Sequence, residues 1–485
     1  MKKINCDYLV IGSGAGGSVA FRELAKSGKD VLLVEEGRRW NSSEFSAPIS
    51  ELTQKLYRGG GVTPFIGDPV IGFGEGVALG GTTVINGGLL WRTPEWILND
   101  WHRNYKIDGY GVNDLSAYFD EIENSLSVEN ELDVNGYDLD SKLIEQAANN
   151  LGWKVVSVPR ATKNCSRKNQ CGAGCPSGAK QSVDKTYIAS GESAGGRVNT
   201  GIKIVKLNKI ENKIVSVIGK EISTGKKVYI KPKTIFLAAG AINTPLLLRR
   251  SGLSKIAGDS LQFHINLKVF AKFSNTINAN RGTIFTRQIQ EFEKEGLLIM
   301  GTNYNPAYLS TALAHLENSQ FNKYFEMYEN SAVYTPMIKP VGTAKIHNII
   351  GGHIITHQLD AESDLLMLRK ALLVTSKLLF KAGAEMVILP LGDCNPVNNY
   401  TKAKYMILQA TMSQFQLLSV HAMSSCAMGA LDTDICNLDG GVRGVKNLYI
   451  CDASILPSNI GESPQGTIMA FSHLIIDRHL NKEGV

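Results

Sequence analysis

Gly12, Gly14 and Gly17 stand as G-x-G-x-x-G between two short apolar runs, C-D-Y-L-V-I at 6–11 and V-L-L-V at 31–34. No other feature narrows the fold as much. The intervening A-F-R-E-L-A-K-S-G has a helical pattern closed by Gly28, so the spacing predicts a βαβ unit with buried parallel strands. The first glycine permits the turn, and the second lets the backbone approach a pyrophosphate. The third lets the helix pack close to the strand, and the helix N-terminus favours phosphate charge. Glu35 ends the second run, where an acid would accept a hydrogen bond from a ribose hydroxyl. A lone glycine motif reads equally well as an ordinary turn; strand, helix, strand and acid together point to a dinucleotide. They do not choose FAD over NAD.

After about residue 201 the pattern turns to β. I-K-I-V-K-L, K-I-V-S-V-I-G-K-E-I and K-K-V-Y-I, separated by E-N and S-T-G-K turns, read as a meander. T-I-F-L-A-A-G-A-I-N-T-P-L-L-L-R-R-S-G follows as a buried strand, a glycine turn and a short helix. Residues 263–417 mix strands and helices without a glycine fingerprint, as expected of a substrate-binding region. The fold expected is α/β: a Rossmann-like domain of βαβ unit and β-meander at 1–262, then a mixed-sheet substrate domain with helices at 263–417. Residues 418–485 return to the first domain, and 160–182 form an inserted cysteine loop. The 51 basic and 45 acidic residues give +6, spread along the chain, which is no warrant for a nucleic-acid partner. No apolar run reaches the roughly 18 residues of a spanning helix. The first residues enter a strand with no secretory h-region, so the expected location is cytoplasmic, the alternative being the periplasm by co-export with a partner.

His421, in S-V-H-A-M-S-S-C-A-M-G, is the candidate catalytic residue. Behind it come an acid after a strand, Asp452, and a Ser-Pro step opening a helix, Ser463-Pro464. An imidazole titrates near neutrality and suits a proton taken from a hydroxyl. His264, His347, His353, His357 and His473 carry no such context and read as structural.

With these blocks quoted, the chain resembles the glucose–methanol–choline (GMC) oxidoreductase family of FAD-dependent alcohol-oxidising enzymes. V-A-L-G-G-T-T-V-I-N-G at 77–87 is similar to the first family signature and L-A-A-G-A-I-N-T-P at 237–245 to the second. V-K-N-L-Y-I-C-D-A-S-I-L-P with S-P-Q-G-T-I-M is similar to the C-terminal flavin segment. The resemblance implies that Gly81 and Asn86 approach the flavin, with Gly80 and Thr82 shaping the loop, and that Gly240 passes close to it. It places Asp452 and Ala453 at the phosphate–ribityl region, and Pro464, Gln465 and Thr467 at a helix start aimed at the flavin pyrimidine edge. Ile85 stands where some members carry a flavin-linked histidine, which implies non-covalent FAD. His421 matches the catalytic histidine, a base and oxyanion partner. Ser463 stands where the family has a second histidine or an asparagine. It either orients the substrate hydroxyl, with Asn459 or Glu462 as alternatives, or caps the helix.

Cys165, Cys171 and Cys175 form C-x5-C-x3-C in a glycine-rich loop with proline after the last, a set of thiols able to hold iron. The spacing resembles the [3Fe–4S] loop of membrane-associated bacterial glucose and fructose dehydrogenases of the family, which pass electrons to a cytochrome partner. Cluster-free relatives carry a similar loop, so both readings stand. The activity expected is oxidation of a small alcohol, sugar or polyol by hydride transfer to FAD. An oxygen-dependent oxidase releasing hydrogen peroxide and a non-redox flavin-dependent isomerase or lyase are the alternatives.

Overall fold

Strand Lys2–Ile11 lies at the middle of a seven-stranded sheet, parallel to Val31–Val34 on one side and to Lys227–Leu237 on the other. The computed structural model describes residues 2–130, 138–302, 304–392, 395–482 and 484. Helix Ala15–Lys26 joins the first two strands, completing the βαβ unit that the glycine spacing predicts, and the fold is α/β. The meander is present as Ile202–Ile210, Lys213–Glu221 and Lys227–Leu237. The runs K-K-V-Y-I and T-I-F-L are one continuous strand rather than two. Its first half pairs antiparallel with Lys213–Glu221, and its last three residues pair parallel with Leu448–Ile450. That second pairing brings the C-terminal segment beside the fingerprint. The Cys451 N–H donates to the Leu237 carbonyl at 3.0 Å, and the Ala238 N–H to Ile11 at 2.8 Å. Gly12, Gly240 and Asp452 thus meet at the carboxyl ends of parallel strands, where ligands of such sheets bind.

Two glycines have steric reasons. A Cβ on Gly17 would sit 2.0 Å from the Gly12 carbonyl oxygen, so only glycine lets the first helix lie this close to its own turn. A Cβ on Gly16 would sit 1.7 Å from the Cys451 carbonyl oxygen, where the C-terminal strand end presses on the same helix. Helix Gln465–Lys482 then packs along helix Ala15–Lys26.

A second, twelve-stranded mixed sheet is built mostly from strands of the 263–417 region. Its central strand, Ser331–Ile338, is buried at every position, and helix Ser363–Lys381 packs on it. Strands Thr63–Ile66, Ile71–Phe73 and Val155–Ser157, which precede residue 262 in the chain, also pair in this sheet. Sheet membership therefore crosses the boundary drawn at 262, because short excursions of the first region add strands to the second. Among the described residues no helix is long and apolar enough to cross a membrane.

Candidate active site

One cavity of about 470 Å³ runs from the fingerprint turn to His421. At its nucleotide end Gly12, Gly14 and Glu35 form the wall. Gly14 faces open space: an added Cβ there would meet no atom within 4 Å. Glu35 is buried and already holds the turn, since its Oε2 accepts from the Ser13 N–H at 2.9 Å and hydroxyl at 2.6 Å and its Oε1 from the Gly37 N–H at 2.7 Å. Burial raises its pKa, and those three donors oppose the rise. Ser13 extends the network, accepting from the Gly80 N–H at 2.9 Å. Gly80, left-handed at φ 99°, thus supports the first-signature loop from behind, while Gly81, Thr82 and Asn86 line the cavity.

Asp452 joins the second signature to the C-terminal segment. One carboxylate oxygen accepts from the Gly240 N–H at 2.8 Å and the Thr244 hydroxyl at 2.5 Å; the other accepts from the Ser454 N–H at 2.8 Å and hydroxyl at 2.5 Å. Burial pushes its pKa up and the four donors pull it down. Gly240, at φ 86°, leaves open space where a Cβ would project, and with Ala453 it borders the cavity. Asn86 and Gln465, 379 positions apart, are joined by an amide hydrogen bond of 2.6 Å. Pro464 and Gln465 reach the wall at the start of the last helix. Thr467 stands behind it, hydrogen-bonded to Thr93 at 2.8 Å. An open groove past Gly14 and Gly240, under the unpaired N–H groups of a helix N-terminus, fits a dinucleotide. Ile85 offers no atom for a covalent link.

His421 sits on the cavity wall, paired with His264 through their Nδ1 atoms at 3.1 Å. The backbone fixes the direction of this bond. The Gly461 N–H donates to His264 Nε2 at 3.0 Å, so neutral His264 carries its proton on Nδ1 and donates it to His421. His421 Nδ1 is then the acceptor, and its own proton lies on Nε2, the nitrogen with no protein partner among the described residues. These tautomers are assigned from the hydrogen-bond network. Burial lowers the pKa of His421 to about 4 and that of His264 well below its ordinary value. The pair is neutral at physiological pH and presents an N–H to the cavity. His264, expected to be structural, is the residue that sets this state. Only the tertiary contact reveals it.

Ser463 lines the cavity, and its hydroxyl makes no hydrogen bond to a described residue; its backbone N–H donates to Glu462 at 2.8 Å. Of its two expected substitutes, Asn459 spends its amide on the Phe263 and Pro340 carbonyls. Glu462 is buried behind the wall with its pKa raised by burial to about 8. Lys180, which no motif marks, is 2% exposed and donates to the carbonyls of Val84, Asn86 and Cys171 at 2.6, 2.9 and 2.8 Å. It pins the cysteine loop to the backbone of the first signature.

The iron reading of that loop is corrected. Cys165, Cys171 and Cys175 border a separate cavity of about 20 Å³, room for about one water rather than a cluster. Among the described residues no three histidine, cysteine or acidic side chains are grouped to hold a metal. The thiols have other partners: Cys165 the Thr283 hydroxyl, Cys171 the Arg160 guanidinium, and Cys175 the Lys180 N–H. Burial acts to raise the Cys175 pKa, but the Ser177 hydroxyl and the Lys180 N–H and ammonium outweigh it and lower the value.

Comparison with known proteins agrees with this arrangement. Family models described as GMC oxidoreductase match residues 53–266 and 352–472, and an NAD(P)-binding Rossmann-like domain matches 10–44. A GMC-type oxidoreductase of Sinorhizobium fredii is 31% identical over 99% of this chain and 95% of its own. A long-chain-alcohol oxidase of Arabidopsis thaliana is 25% identical over 98% of this chain and 68% of its own. The crystal structure of pyridoxine 4-oxidase from Mesorbium loti superposes with a TM-score of 0.74 at 15% identity, covering 98% of this chain and 99% of that one, and shows the shared fold. With the nucleotide turn, both signatures and the C-terminal segment gathered on one cavity, the chain belongs to the GMC oxidoreductases and is an FAD-dependent oxidoreductase.

Proposed function

We propose that this protein oxidises the CH–OH group of a small hydroxylated substrate, an alcohol, sugar or polyol, with His421 at the hydroxyl oxygen. The observation that carries the reading is the His264–His421 pair, which occupies one ring nitrogen of His421 and turns the other toward the cavity shared with Asn86 and Gln465. Bound FAD supplies the hydride acceptor. In the resting tautomer His421 Nε2–H donates to the substrate oxygen and positions it. For His421 itself to take the hydroxyl proton, the pair must switch. His421 would donate from Nδ1 to His264, whose proton would move to Nε2 and face the Gly461 N–H. The resting pair therefore orients the hydroxyl, and in the switched pair the bare Nε2 takes the hydroxyl proton as the hydride leaves to bound FAD, so that His421 ends as the imidazolium facing the new carbonyl oxygen. Ser463 offers a second hydrogen bond to the same oxygen.

The test is anaerobic flavin bleaching by a panel of alcohols and sugars, repeated with His421→Ala. The variant should retain FAD and lose most of the bleaching; near-normal single-turnover reduction would overturn the assignment. Ring ¹⁵N shifts of His421 report the tautomer independently of activity. An oxidase is the second reading, favoured by relatives named as long-chain-alcohol oxidase and cholesterol oxidase. Oxygen consumption against dye reduction with one substrate separates it from a dehydrogenase that hands electrons to a protein such as a cytochrome.

A further inference from the structure

Lys268 lies in the cavity wall with no acid among the described residues to answer its charge. Its Nζ donates to the Thr302 hydroxyl at 3.1 Å and the Thr335 hydroxyl at 3.0 Å. No carboxylate among the described residues pairs with it, and burial alone pulls its pKa down to about 8. Two other buried or half-buried cations do have acids: Arg58 is paired with Glu36 and Glu75, and Arg22 with Glu23 and Glu121. An ammonium has three N–H groups, and two are used. Lys268 lines the cavity that His421 and Ser463 also line.

Asn266, two residues earlier in the chain, borders the same cavity; it is 7% exposed and its side-chain NH2 has no partner among the described residues. Leaving a buried polar group unmatched is costly, and leaving a cation uncompensated is more so. Two such groups on neighbouring positions of one wall are matched by an acceptor-rich ligand.

We propose that Lys268 and Asn266 form the binding site for a carboxylate carried by the substrate, so that the alcohol oxidised here is a hydroxy acid. This rests on the reading of the site as a CH–OH oxidising centre. The carboxylate takes the third N–H of Lys268 and the Asn266 amide, while Thr302 and Thr335 orient the ammonium from behind. Phe285, Met300 and Met337 on the same wall limit water around the pair, which strengthens a charge-assisted bond. A single cation suits a monoanion; a phosphate ester, near two negative charges at neutral pH, would stay half uncompensated.

Calorimetric titration of the FAD-loaded protein with butanoate and with butanamide, neither of which can be oxidised, tests the subsite apart from turnover. Wild type should bind butanoate about tenfold or more tighter than butanamide. Lys268→Met should bring the two within twofold with FAD content unchanged, and Lys268→Arg should keep part of the preference. Equal affinities in wild type, or a preference that survives in Lys268→Met, overturn the proposal. So does a Lys268→Met protein that keeps its butanoate preference but is no longer reduced by neutral alcohols, since Lys268 would then act on the hydroxyl proton. If Lys268→Met does not fold, wild type and Lys268→Arg still decide. Failure of every alcohol to bleach the flavin would sink the CH–OH reading while leaving the anion preference measurable.

Discussion

The two walls of the cavity treat their polar groups in opposite ways. On the nucleotide wall the protein fills Asp452 with four hydrogen bonds and gives Glu35 three. On the substrate wall the Lys268 ammonium, the Asn266 amide and the Ser463 hydroxyl keep bonding capacity free. The first wall is a closed frame built before any ligand arrives. The second is left incomplete, and what binds there finishes it. A saturated frame suits a cofactor that stays, because its geometry is paid for in folding; free donors suit a ligand that comes and goes.

Asp452→Ala puts the contrast under the greatest load. Four donors, two of them backbone N–H groups, lose their acceptor in a buried place, at a cost of about 4 kcal/mol or more. The denaturation midpoint and FAD content should fall together; a variant that keeps both would break the comparison. His421→Ala, on the open wall, should instead keep FAD and stability while the rate of alcohol-dependent flavin reduction drops by about 10²–10⁴-fold, read by anaerobic stopped flow.

A pH series on Glu462→Gln sharpens the contrast further. Glu462 lies behind the substrate wall with its folded pKa raised by burial to about 8. Its contribution to stability is full below the unfolded carboxyl value near 4.3 and is lost as pH rises toward 8. The glutamine variant imitates the protonated acid, so it should gain on wild type between pH 5 and 8, by up to about 1.4 kcal/mol per unit. Parallel stability curves would show that Glu462 is ionised in the folded protein. The smallest effect belongs to Ser463→Ala. Loss of one hydrogen bond to the substrate should slow reduction less than about tenfold and leave FAD in place, as a spectrum and a single-turnover trace would show.

Local patterns carried the nucleotide wall. Gly12 and Gly17 answer a nearby steric demand, Gly14 leaves the groove open, and strand, helix and strand follow in unbroken chain order, so periodicity and glycine spacing suffice. Gly17, read as the glycine that lets helix and strand pack, and Gly80, read as shaping the first-signature loop, both stand behind the cavity wall. The substrate wall was hardly legible. Lys268 and Asn266 look like ordinary members of a strand pattern, and their meaning lies in the lack of a partner, which no sequence displays. The cysteine spacing misled in the other direction. Three thiols close in sequence suggest convergence, but Thr283, Arg160 and the Lys180 backbone draw them to separate partners.

By itself the sequence determined the family, the βαβ unit and the FAD-binding signatures, and it put His421 forward as the candidate for the chemistry. All of these follow from short-range constraints: a turn that only glycine makes, a strand that must be apolar, a helix that must start at a phosphate. Tertiary structure alone decided which nitrogen of His421 carries the proton, because that depends on His264, 157 positions away, and on the Gly461 N–H behind it. It also decided which charges stay unanswered at the cavity, since a partner's presence or absence is a property of the packed chain.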